Sequence, residues 1–237
     1  MNVVLLRVGI DTGCGGIHSP LFRDGTFEFL PIPDTRGLDV RTYGNSVGRV
    51  GRPFAEYFPN RKQAKARAQA MHVDPEFESF TYGDPTSPKQ GLSEMSPGDL
   101  LVFYAGMEGC EVKVPPALYL AGVFRVALAG LATSFTDEQI QREFAQNFHV
   151  RHQSLFAQQR ESLVLIKGGP GSRLFRKAHL VGETVPLKNG SPWQIITPQM
   201  EKIFGKFGGI GSLQRSTPRW VEDRLVSTAV DFIDSLD

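Results

Sequence analysis

Two apolar runs constrain the fold more than anything else in the chain: Asp99-Leu100-Leu101-Val102-Phe103-Tyr104-Ala105-Gly106 and Ala117-Leu118-Tyr119-Leu120-Ala121-Gly122-Val123-Phe124-Arg125-Val126. Unbroken aliphatic, β-branched and aromatic side chains read as buried strands, and the connection containing Pro115-Pro116 reads as the loop that pairs them. Long helical bundles are thereby excluded. The 25 Gly and 16 Pro in 237 residues push the same way, since their share exceeds the usual ~12% and favours turns over helix. Val3 to Val8, ending at Gly9, and Leu163 to Ile166 read as further buried strands, and Phe27 to Pro33 as one that Pro31 confines to a sheet edge.

Three helices are expected. Asn60 to Met71 combines an N-cap residue with strong helix formers. Thr136-Asp137-Glu138-Gln139 is a capping box, and Ile140, Phe144 and Phe148 at i, i+4 and i+8 extend it into a helix from Asp137 to Phe148. Thr217-Pro218 starts a terminal helix whose apolar face carries Val221, Leu225, Ala229, Phe232, Ile233 and Leu236. From Asp34 to Pro59 no period is visible, and Tyr43, Phe54, Tyr57 and Phe58 are available to anchor an ordered loop. The fold expected is α+β: a mixed or mainly antiparallel β-sheet or small barrel, with peripheral helices and long ordered loops, in one domain spanning 1–237.

Charge and motif arithmetic narrow the function. With 26 Lys+Arg against 25 Asp+Glu, no whole-protein field holds the chain on nucleic acid or anionic lipid, so any polyanion is gripped locally. No apolar run approaches 18 residues, Met1 to Arg7 lacks a secretion signal's basic n-region, and two cysteines, Cys14 and Cys110, are too few for a disulfide scaffold. The expected location is the cytoplasm. Asp11-Thr12-Gly13 is the aspartic-protease tripeptide, but no second copy supplies the partner carboxylate. Neither phosphate-loop template fits residues 9–20 or 167–177. His149 and His152 stand at i, i+3, yet without paired cysteines they read as helix-terminal residues bonded to backbone carbonyls, and no metal is expected. Cys14 reads as a small buried packing residue.

What remains is a set of polar groups in loops beside buried strands, where scaffolded sites are built. Arg7 closes the first strand, and Asp11, Thr12 and His18 follow it. Lys167, Ser172 and Lys177 follow the strand ending at Ile166, and His72, Asp74, Tyr82 and Asp84 lie between. Singly, each has a structural explanation: Asp11 and Asp84 as turn formers, Arg7 as the partner of a core carboxylate, Lys167 as a solvated strand end. Together, a Gly-rich loop flanked by cations and an Asp suits a phosphate or a planar base edge. If Val3 to Val8 and Leu163 to Ile166 are neighbours, Arg7, Asp11 and Lys167 face one pocket beside Asp74 or Asp84.

Leu6-Arg7-Val8-Gly9-Ile10-Asp11-Thr12-Gly13 with Gly15-Gly16 and Pro20-Leu21-Phe22, then Asp74-Pro75-Glu76-Phe77, Thr81-Tyr82-Gly83-Asp84 and Gly98-Asp99-Leu100-Leu101-Val102-Phe103-Tyr104, resemble the third of the nucleotide modification associated domains of bacteria, archaea and phages. The likeness extends through Ile166-Lys167-Gly168, Ser172 and Pro218-Arg219-Trp220. It implies a role around modified nucleotides without naming a reaction or cofactor. The strand pair also resembles the centre of PUA-like barrels, the group that includes EVE and ASCH domains, which implies accommodation of RNA or an extruded modified base.

Three functional classes follow. A binding module would take a nucleotide or modified base, or a flipped or single-stranded base of a nucleic acid. Its ligand would stack on Tyr82, Tyr104 or Trp193 and meet phosphate through Arg7, Lys167 or Lys177, with Thr12, Asp84 and Ser172 nearby. An enzyme would use Asp11 or Asp74 as general base, His18 or His72 as proton donor and Lys167 to stabilise charge. A scaffold subunit of a modification or defence complex would need no small-molecule site.

Overall fold

The computed structural model describes every residue except 187–189, 191, 208–210, 214–216 and 237. The chain runs β1 (Val3–Arg7), β2 (Ser19–Leu21), β3 (Ile32–Pro33), α1 (Asn60–Ala68), β4 (Met71–His72), β5 (Thr81–Asp84), β6 (Leu100–Gly109), β7 (Ala117–Leu131), α2 (Asp137–Phe144), α3 (Phe148–Arg151), α4 (Gln153–Gln159), β8 (Val164–Gly168), β9 (Arg173–Pro186), β10 (Pro192–Ile196), α5 (Pro198–Phe204), β11 (Arg219–Trp220) and α6 (Val226–Ser235). Among the described residues nine strands join in one mixed sheet along the path β10-β9-β7-β6-β1-β11, with β2 added to β6 and β8 linking β7 to β5. β1 and β2 run parallel to β6; the other pairs are antiparallel.

β7 organises this sheet. One edge takes β6, from Leu100 opposite Arg125 to Met107 opposite Ala117, which is the antiparallel pairing the two apolar runs predict. Its other edge takes β9 over Leu118–Val123 and then β8 over Val126–Leu131. Register shifts at Leu120/Gly122 and Val126/Leu128 let one strand serve two partners in succession, because a bulge bends and twists the strand that carries it. The sheet is not closed, so the small-barrel form of the expected fold is not adopted, and the PUA-like core is not confirmed.

The period of two along β1 explains why its sequence is apolar throughout. Val3 and Leu5 enter one core with Val102, Tyr104, Leu120 and Phe175, where α5 contributes Phe204 and α6 contributes Ala229 and Ile233. Val4 and Leu6 enter the opposite core with Leu101, Phe103, Phe124 and Ile166. Both faces are covered, so neither position can be polar. α2 to α4 pack on β8 through Ile140, Phe144, Val150, Leu163 and Leu165. The aperiodic stretch before α1 is indeed held by aromatics, since Tyr43 and Phe58 pack with Ile10, Leu30 and Met71, and Tyr43 Oη donates to Pro31 O at 2.6 Å.

Several element bounds differ from expectation. Thr217-Pro218 begins no helix; the chain first lays β11 against β1, with Arg219 opposite Leu5 and Trp220 opposite Val4, and α6 starts only at Val226. The open edge of β1 claims those backbone groups before the helix can. Asn60 is the first helical residue, with Pro59 at the cap. The strand expected over Phe27 to Pro33 shrinks to β3, paired with β4. β9 escapes a reading by hydropathy because Arg176, Lys177 and Glu183 on it are exposed. The capping box forms as read: Thr136 Oγ1 accepts from Gln139 N at 3.2 Å and Gln139 Oε1 accepts from Thr136 N at 2.9 Å. The helix it starts ends at Phe144, because Asn147 caps a separate turn at Phe148. Thr136→Ala is expected to cost about 1 kcal/mol, read from the denaturant midpoint.

Candidate functional site

β1 delivers Arg7 into the Gly-rich loop. Gly9 turns the chain out of the sheet at φ 76°, and a Cβ there would lie 2.9 Å from the Phe29 ring, so no other residue serves. Asp11 then closes the loop, its Oδ1 accepting from Gly13 N at 2.8 Å and Cys14 N at 2.7 Å. Its Oδ2 accepts from Arg7 Nη2 at 3.1 Å, while Arg7 Nη1 donates to Gln194 Oε1 at 2.6 Å. Asp11 is therefore turn former and arginine partner at once.

Two clefts share this pair. The larger, about 880 Å³, lies between the Gly-rich loop and β5 and is lined by His72, Asp74, Tyr82, Asp84, Lys89 and His149 as well as Arg7 and Asp11. The other, about 810 Å³, takes Thr12 and His18 with Tyr119 and Gln194. His18 Nδ1 lies 3.3 Å from Glu108 Oε2. In the larger cleft Asp84 Oδ2 accepts from Tyr82 Oη at 3.1 Å and Lys89 Nζ at 3.2 Å, and Oδ1 accepts from Thr86 N at 2.7 Å.

At the base of that cleft β4, the turn after it and α3 bring His72, Asp74 and His149 together, with ligating atoms within 4.8 Å of one another. His72 Nε2 and His149 Nε2 are 3.2 Å apart, and His149 Nε2 is 3.6 Å from Asp74 Oδ2. Asp74 accepts from Gly83 N at 2.9 Å and Asn147 Nδ2 at 3.2 Å. Burial pushes its carboxyl well above the ordinary range, against the pull of those two donors. Burial, reinforced by the neighbouring His149, pushes His72 down to about 3, and burial also lowers His149. Burial therefore acts against the charged form of all three groups.

The structure brings Arg7, Asp11, His72, Asp74, Tyr82 and Asp84 to one cleft and leaves Lys167, Ser172 and Lys177 out of it. β1 sits between β6 and β11, and β8 between β7 and β5, so the neighbouring strands expected to join Arg7 to Lys167 are not neighbours. Lys167 Nζ donates to Ser79 O at 2.7 Å, Ser172 Oγ accepts from Arg125 N at 3.0 Å, and Lys177 is exposed on β9 beside Gly25. Tyr104 is fully buried with its hydroxyl toward Leu213 O and Tyr82 is 4% exposed, so neither tyrosine offers an open face for stacking, and the half-buried Trp193 lines neither cleft. Cys14 is exposed rather than buried, at the cleft rim, with its thiol pushed up by partial burial and by Asp11. His149 bonds to the Gln159 side chain rather than a carbonyl, and its neighbour is His72, not His152. The fold supplies that pairing across 77 residues; the local signals were His72-Val73-Asp74 and the cap residue Asn147.

An open mixed sheet with peripheral helices and a histidine- and carboxylate-lined cleft at the end of its first strand defines an α+β protein. The chain belongs to the family of nucleotide modification associated domain 3, whose model matches residues 2–231. That description associates it with nucleotide modification. No curated protein and no solved structure matches the chain significantly. Among the described residues no helix is long and apolar enough to cross a membrane.

Proposed function

We propose that the protein binds a nucleotide or modified base in the larger cleft, as a component of a nucleotide modification system. The observation that carries this reading is the convergence of Arg7 and Lys89 with Asp11, Asp74 and Asp84 on a space of about 880 Å³. Small-ligand pockets have this size, about 300–1,000 Å³. Guanidinium and ammonium groups suit a phosphate, and carboxyl groups suit the N–H edge of a base. Recognition rests on hydrogen bonds rather than on stacking, given the buried tyrosines. The family description supports the ligand class.

Calorimetric titration of nucleoside monophosphates and free bases tests the reading. Arg7→Ala is expected to weaken binding about tenfold or more, equivalent to about 1.4 kcal/mol, and the exposed Lys177→Ala to leave it unchanged. Equal titrations for wild type and Arg7→Ala, with unchanged circular dichroism, reject the cleft.

One observation favours a second reading, an enzyme acting on the same ligand. A carboxyl group and two imidazoles, all pushed by burial away from their charged forms, converge on one point of the cleft, which is the arrangement proton transfer requires. Conversion of a nucleotide, detected by mass spectrometry and lost in His149→Gln, would establish it.

A further inference from the structure

We propose that His72 Nε2, His149 Nε2 and Asp74 Oδ2 hold one divalent first-row transition-metal ion, with its remaining coordination positions open to the larger cleft. The inference goes beyond nucleotide binding and stands whether or not a nucleotide binds.

The argument starts from hydrogen-bond roles. A neutral imidazole has one N–H and one lone pair. Gln159 Oε1, an acceptor, lies 2.7 Å from His149 Nδ1, so Nδ1 carries the proton and Nε2 presents its lone pair. That lone pair faces Asp74 Oδ2 across 3.6 Å, between side chains that are 4% and 3% exposed. With Asp74 ionised both atoms are acceptors, and a cation seated between them and His72 Nε2, 3.2 Å from His149 Nε2, satisfies all three.

The spacing fits such a cation. Two ligand atoms each ~2.1 Å from a tetrahedral centre are ~3.4 Å apart. The histidine nitrogens are 3.2 Å apart, the His149 nitrogen is 3.6 Å from the Asp74 oxygen, and the three ligating atoms all lie within 4.8 Å of one another. Each ligand is also held from behind, as metal ligands commonly are: His149 by Gln159, Asp74 by Gly83 N and Asn147 Nδ2, and His72 by the Phe148 face at 3.9 Å. Two imidazoles with one carboxylate suit zinc, iron, manganese or cobalt. Magnesium and calcium take oxygen sets. All three ligands line the cleft, so the open positions would accept water or an oxygen atom of a bound molecule.

The test is a titration of metal-depleted full-length protein with Co²⁺ or Zn²⁺, without nucleotide, so that its failure leaves the cleft reading untouched. Wild type is expected to take one Co²⁺ per chain, with visible d–d bands and a raised Tm. His72→Ala and His149→Ala should weaken binding by more than about 100-fold, and Gln159→Ala, acting from behind, by about 10–100-fold. His149→Gln, closer in size, keeps the test valid if His149→Ala fails to fold. His152→Ala should bind as wild type, which separates this site from a local His149/His152 pair. Absence of stoichiometric Co²⁺ in wild type, wild-type binding by His149→Gln and His72→Ala, or loss of binding in His152→Ala alone would each overturn the proposal.

Discussion

Phe103→Ala is expected to destabilise the protein by about 3–5 kcal/mol, the range for truncating a buried phenylalanine. The ring is 0% exposed and packs edge-on against Phe124 at 4.7 Å and Phe77 at 5.6 Å, with Tyr82 at 5.9 Å. Phe77 follows Asp74 by three residues, and Tyr82 hydrogen-bonds Asp84. The aromatic cluster is thus the floor on which the Asp74 and Asp84 carboxyl groups are set, and its loss should reach stability and ligand affinity together. Urea denaturation measures the first, with the 84% exposed Val40→Ala as a control expected to stay within about 0.5 kcal/mol. A Phe103→Ala protein within about 1 kcal/mol of wild type would mean that the core repacks around the void and that the cluster does not support the site.

The parts of this fold legible in the sequence are those where local and tertiary preferences agree. β6 and β7 are apolar because both sheet faces are covered, and α2 starts where its capping box says. The parts that were not legible are set by partners distant in sequence. β11 forms because the edge of β1 is open, and nothing in Arg219-Trp220 announces that edge. β9 is a long strand with exposed charges on it, so its hydropathy resembles a loop. The same division runs through the cleft. Arg7 with Asp11 across the Gly-rich turn, and Tyr82 with Asp84 on one face of β5, are sequence neighbours, and each pair does meet. Lys167 would reach the pocket only through a strand adjacency that β6 and β7 prevent by lying between β1 and β8. His149 stands beside His152 in sequence, whereas its side chain crosses to His72 on β4.

Asn147→Ala is expected to cost about 3 kcal/mol, because this buried amide does two things. Its Oδ1 accepts from His149 N at 3.0 Å and caps a helix of four residues, and its Nδ2 donates to Asp74 Oδ2 at 3.2 Å. The cap contributes about 1 kcal/mol, and leaving a buried oxygen without its donor costs about 1–3 kcal/mol. Gly83 fixes the amide from the other side, since a Cβ there would lie 2.8 Å from Asn147 Oδ1. Asn147→Asp separates the two roles. Asp caps as well as Asn does, so a residue that served only the helix would tolerate the change. Here the new carboxyl would replace a donor with a second acid beside Asp74, in a place without room for two charges. Asn147→Asp should therefore be at least as destabilised as Asn147→Ala, by chemical denaturation at neutral pH. An Asn147→Asp protein as stable as wild type would show that the amide is a cap alone and that Asp74 is positioned by the Gly83 N–H without it.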